Sequence, residues 1–100
     1  MLEMQQKEVV SADVRAYCEE RKNLVIEVEL PGVERDDIKL KMNNYGFHVT
    51  AEGPDFIYEA CEFFHDDTTL DGVWAELDGG LLTITVPLRR RDELKEITVH

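Results

Sequence analysis

The feature that most limits how this chain can fold is a strict two-residue alternation, sharpest near the C-terminal end over residues 74–87. An apolar/polar alternation ends at Leu77 and Asp78-Gly79-Gly80 follows. A second alternation then sets Leu82, Ile84 and Val86 on one face against Thr83 and Thr85 on the other. Two glycines supply the φ > 0 conformations of a tight hairpin turn, and Pro87 ends the second strand because it has no N–H to give a ladder. Residues 74–87 therefore read as a β-hairpin.

The same period runs back through the chain. Val14, Ala16 and Cys18 alternate with Arg15, Tyr17 and Glu19. After the polar turn Glu20-Arg21-Lys22-Asn23, Leu24, Ile26, Val28 and Leu30 share one face while Glu27 and Glu29 take the other, as in a sheet with one wet side. Pro31-Gly32 ends that strand, and the charged stretch Val33-Glu34-Arg35-Asp36-Asp37 reads as a turn. Ile38, Leu40 and Met42 alternate with Lys39 and Lys41. Asn43-Asn44-Tyr45-Gly46 offers residues that tolerate the left-handed region, and Phe47, Val49 and Ala51 complete a second hairpin. From Phe56 to Phe64 both faces are mixed, which suits a strand partly covered on each side by loops or by a partner. Residues 65–72 read as a polar connection. Residues 1–11 carry no clear period and read as a short N-terminal arm, 12–88 as the domain, and 89–100 as a charged C-terminal tail. Short strands separated by Gly, Pro and Asn turns, with no helical period, argue for an all-β, immunoglobulin-like antiparallel sandwich.

One hundred residues make a single domain with a modest core. The balance of 22 Asp plus Glu against 11 Lys plus Arg, a net charge of -11, argues against nucleic acid and against anionic membrane surfaces, because both need a basic footprint. The one dense basic run is Arg89-Arg90-Arg91. No apolar run approaches the ~20 residues that cross a bilayer, and the first residues lack the basic start and apolar centre of a signal peptide, so a cytoplasmic protein is expected. Cys18 and Cys61 stand apart, without a Cys-x-x-Cys spacing, and are expected to be reduced and buried.

Enzymatic chemistry finds little to build on. Ser11 is the single serine and has no nucleophile-elbow context. No phosphate-cradling Gly loop and no His-Glu-x-x-His occur. A metal site from Cys18, Cys61, His48 and His65 has no local ligand pair behind it, and the acidic pairs Asp36-Asp37 and Asp66-Asp67 read as turn and surface residues. No enzyme activity, cofactor or metal is expected. The tail is more suggestive: Ile97 and Val99 lie two apart, so an extended chain points both the same way. The residues alone leave an apolar plug and a frayed end equally open.

Four segments, in order, resemble the α-crystallin domain of small heat-shock proteins. They are Ala75-x-Leu77-x-x-Gly80-x-Leu82-Thr83-Ile84-Thr85-Val86-Pro87, the Leu30-Pro31-Gly32-Val33-x-x-x-Asp37-Ile38 turn, Val49-x-x-x-Gly53, and the terminal Ile97-x-Val99. The resemblance implies an ATP-independent chaperone that holds partly unfolded clients and self-associates. It also implies that Ile97 and Val99 anchor the tail in a groove between the strand of Ile38, Leu40 and Met42 and the strand of Val73, Ala75 and Leu77. Trp74 stands where the family commonly has a polar residue and, if it faces outward, is a candidate hot spot. Two departures bear on assembly. The long excursion that many members carry after the position of Gly53 is reduced here to Pro54-Asp55, and Ala60 stands where an arginine is frequent. A dimer or small oligomer without a swapped strand is expected. The alternative is an interaction module similar to the CS-domain co-chaperones, binding one defined folded partner.

Overall fold

The computed structural model describes residues 7–65, 67–89 and 96–100. Its strands are β1 (Glu8–Ser11), β2 (Val14–Glu19), β3 (Asn23–Glu29), β4 (Ile38–Asn43), β5 (Gly46–Glu52), β6 (Phe56–Phe63), β7 (Trp74–Asp78) and β8 (Leu81–Pro87). They form two four-stranded sheets, ordered β1-β6-β5-β4 (sheet A) and β2-β3-β8-β7 (sheet B). Every neighbouring pair is antiparallel except β1 with β6. The fold is the immunoglobulin-like β-sandwich that the alternation implies.

Alternation also decides the core. Leu24, Ile26 and Val28 of β3 and Leu82, Ile84 and Val86 of β8 turn inward from sheet B, meeting Phe47, Val49 and Ala51 of β5 and Ala60 of β6. Each large side chain fully buried in this way contributes about 1.5 to 3 kcal/mol. Leu30 and Val33 join the same cluster, so the Pro31-Gly32 turn is pinned by apolar residues on either side of it. Residues Arg35–Asp37 form one 3-10 turn before β4.

Four expectations need correction. Within the first eleven residues, Glu8–Ser11 are a strand and not a loose arm: they pair in parallel with Phe56–Glu59, and Lys7 Nζ reaches Glu52 Oε1 at 3.0 Å and the Gly53 carbonyl at 2.9 Å. Four residues are too few to show a period, so the pattern could not reveal them. Cys18 and Cys61 are exposed, not buried. Cys61 lies on the outer face of β6, and Cys18 faces inward from β2, which among the described strands pairs only with β3. The Asn43–Gly46 turn uses no left-handed residue: the Asn43 side-chain carbonyl accepts the N–H groups of Tyr45 (2.8 Å) and Gly46 (3.0 Å). The connection after β6 is not wholly polar surface, because Thr68 is buried, donates its hydroxyl to the Asn44 carbonyl at 3.1 Å and bridges Leu88.

One feature governs the borders of the sandwich. The chain runs along sheet A as β1 and crosses at Ala12-Asp13, where the Ala12 N–H still binds the Glu59 carbonyl (2.9 Å) and the Asp13 carbonyl already accepts from Glu29 N–H (2.9 Å). It then continues in sheet B as β2. One extended segment thus edges both sheets, a strand that switches layers at a corner. Beyond Glu59, sheet A keeps β6 as its edge and loses the cover of β1.

Candidate binding surfaces at the open borders of the sandwich

The switch places β1 and β2 on one side of the sandwich, so β4 and β7, the remaining edges, border the other. Ile38, Leu40 and Met42 sit opposite Ala51, Val49 and Phe47 and turn inward, while Lys39 and Lys41 point out. Ala75 and Leu77 sit opposite Ile84 and Leu82 and also turn inward. Ile38, Leu40, Met42, Val73 and Leu77 are half-buried against the core. Ala75 lies outside the packed core: it is exposed, although it occupies an inward position. An inward residue left exposed marks a border that is not closed. Trp74 lies on the outer face opposite Thr85, 66 % exposed, with its indole N–H directed to Glu76 Oε2 at 3.4 Å.

Ile97 and Val99 are 75 % and 91 % exposed and occupy neither border. Pro87, Leu88 and Arg89 leave sheet B beside Lys22 and Asp67, with Leu88 N–H on the Lys22 carbonyl and Arg89 N–H on the Asp67 carbonyl. Residues 1–6, Asp66 and residues 90–95, with Arg90 and Arg91 of the basic run, lie outside the described residues.

On the β2/β6 side, a cleft of about 410 Å³ opens between the sheets where β1 has departed. Ala16, Leu24 and Ile26 line it from sheet B, and Phe47, Phe63, Phe64 and His65 from sheet A, with Glu62 at the rim. Phe47 and Phe64 stack with ring centroids 6.2 Å apart, and Phe63 is 79 % exposed. This surface went unassigned in the sequence. Its signal was the mixed character of residues 56–64: Tyr58, Ala60 and Glu62 take the inner face and Ile57, Glu59, Cys61 and Phe63 the outer one.

The other candidate residues do not assemble into chemistry. His48 and Cys61 are opposite one another on the outer face of sheet A, and His48 Nε2 lies 3.3 Å from Glu59 Oε2. Cys18 belongs to the other sheet, and His65 follows β6. Among the described residues no group of three His, Cys, Asp or Glu side chains is placed to hold a metal ion. No described helix is long and apolar enough to cross a membrane.

No protein-family model and no curated sequence matches the chain. Solved structures do. Heat shock protein 16.0 from Schizosaccharomyces pombe superposes with a TM-score of 0.71 at 18 % identity, covering 91 % of this chain and 76 % of that one. HSP18.5 from E. histolytica gives 0.72 at 15 % identity, covering 90 % and 99 %. A small heat-shock protein from Xylella fastidiosa, described as having a distinct high order structure, gives 0.68 at 21 % identity, covering 89 % and 95 %. The chain has the α-crystallin fold of the small heat-shock proteins, over nearly its whole length.

Proposed function

We propose that this chain is a cytoplasmic member of the small heat-shock proteins, an ATP-independent holdase that captures partly unfolded proteins and suppresses their aggregation. The observation that carries this reading is that the shared fold is left apolar and open at both sides. Ala75 on one border and Ala16 on the other face inward yet stay exposed, and Phe63 and Trp74 stand out beside them. Such surface binds the transiently exposed apolar segments of folding intermediates, and holding them lowers the population free to aggregate. A net charge of -11 keeps the loaded complex soluble. The tail residues Ile97 and Val99 act as an apolar plug for the β4/β7 border, of the same or a neighbouring chain, and compete there with clients.

The test is light scattering of a heat-labile client. Purified protein at near-equimolar ratio is expected to slow the rise in scattering without nucleotide, for several unrelated clients. The tight turn at Gly53-Pro54-Asp55-Phe56, closed by Gly53 N–H on the Phe56 carbonyl at 2.8 Å, removes the swapped excursion and favours a second reading, a CS-like module for one folded partner. Failure with every client, together with tight binding of a single folded protein, would establish that second reading.

A further inference from the structure

β6 is bordered by β1 over only half its length. Gly53 N–H binds the Phe56 carbonyl at 2.8 Å and Phe64 N–H binds the Tyr45 carbonyl at 2.7 Å. With the uniform register of β5 on β6, Phe56, Tyr58, Ala60 and Glu62 therefore turn their backbone groups to β5. Ile57, Glu59, Cys61 and Phe63 turn theirs to the other side. β1 runs along the first two, and its contact ends with Ala12 N–H on the Glu59 carbonyl. Among the described residues, no backbone group meets the N–H and C=O of Cys61 and Phe63.

Charge guards two other edges but not this one. β4 displays Lys39 and Lys41 and β7 displays Glu76 and Asp78, and charges at an edge deter an incoming strand. The second half of β6 displays Cys61 and Phe63. Just inside it lies the cleft of about 410 Å³. A strand laid there continues the line that β1 leaves at the corner, and its pleat sends every second side chain inward over Ala16 and Ile26, beside Phe47 and Phe64. β1 shows what the inward positions accept, since Val10 and Ala12 are both apolar and partly buried. The cleft admits a larger side chain than either. Glu62 is the carboxylate at its rim, and with a net charge of -11 it repels acidic segments and favours basic ones.

We infer that an extended segment of a client protein, apolar at alternate positions and without acidic side chains, adds as a strand along Cys61–Phe63 and sets one large apolar side chain in the cleft. Backbone bonds supply the hold and the cleft supplies the preference, as in strand addition generally. Cys61 and Phe63 offer one donor and one acceptor each, so the contact is short and readily released. That the segment belongs to a client rests on the holdase reading; the bare edge and the cleft beneath it do not.

Hydrogen exchange followed by NMR, with the capped heptapeptide Lys-Val-Thr-Phe-Thr-Val-Lys as probe, tests it. At saturation the Cys61 and Phe63 amides should slow about tenfold or more, while those of Ala60 and Glu62, already on β5, should not change. Replacing the peptide's Phe by Asp should weaken binding about tenfold or more. In either strand direction one alternate set of peptide N–H groups faces β6 and the other faces away. Of two probes methylated on alternate nitrogens, one should therefore lose binding and the other keep it. Ala16→Trp fills the cleft from sheet B and should lose the peptide, with thermal unfolding showing that the variant folds. Protection at Ala75 and Leu77 instead of Cys61 and Phe63, equal binding of both methylated probes, or undiminished binding by folded Ala16→Trp would each overturn the inference. So would Cys61 and Phe63 amides that are already slow in the free protein and quicken on dilution, which would put a second copy on this edge. Client protection is scored apart. Peptide binding as described with no client protected sinks the chaperone reading and leaves the site standing, whereas protected clients with no peptide on β6 sink the site alone.

Discussion

Gly46 and Arg21 are turn residues that the fold treats in opposite ways. Gly46 has an ordinary backbone, but a Cβ there would run into the backbone carbonyl of Glu62 on β6. Gly46→Ala must push β5 from β6, and a loss of about 1 to 3 kcal/mol is expected, read as a lower denaturant midpoint. Glu20 and Arg21 hold φ of 51° and 57° with side chains that resist this region. Arg21→Gly relieves one of the two, and a gain of up to ~1 kcal/mol in the same measurement is expected. Neither role was legible in the sequence. Gly46 read as a turn glycine by composition, whereas it is required for space against a strand ten residues further on. Glu20-Arg21 read as a generic polar turn because its residues are not those that usually take φ > 0. Thr68 was hidden similarly: a single hydroxyl in a polar stretch gives no period, and its burial follows from the Leu88 bridge, which only the closed sandwich creates.

Among elements, the strands were legible where one face is dry and the other wet. β3, β4, β5 and β8 have such faces, and their alternation fixes which residues point in. It fails for β6, whose two ends meet different surroundings: β1 covers Phe56–Glu59, while Ala60–Phe63 edges an open cleft. β2 misled in another way, since Val14, Ala16 and Cys18 all face inward but only Val14 packs against the core, and Ala16 and Cys18 stay exposed. If Ile97 and Val99 plug the β4/β7 border, changing both to Ser removes two anchors worth on the order of 1.5 to 3 kcal/mol each when fully buried. The fold should survive, because β8 ends at Pro87. Either native mass should fall, or hydrophobic dye binding near Met42 and Leu77 should rise. A double variant matching the parent in mass, dye binding and client protection would make the tail a frayed end.

For the whole molecule, charge sets the limit on solubility. Lowering pH from 7 protonates carboxylates and moves the net charge from -11 toward zero near pH 4.5. Exposed aromatics such as Trp74 and Phe63 then lose the repulsion that keeps copies apart. Turbidity against pH should peak close to 4.5, earlier and higher when client is bound; a flat profile would mean that charge is not what holds these surfaces in solution. Lys7 sits at the Gly53 end of the sandwich, and Arg89 leaves beside Lys22 and Asp67 at the other. A pull on those two points therefore runs along the strands. Tension of that kind slides strands past one another and stresses many ladder bonds together, where a pull from one end would part them singly. Stretched between two tethers, this small domain should yield at a higher force than its modest core suggests.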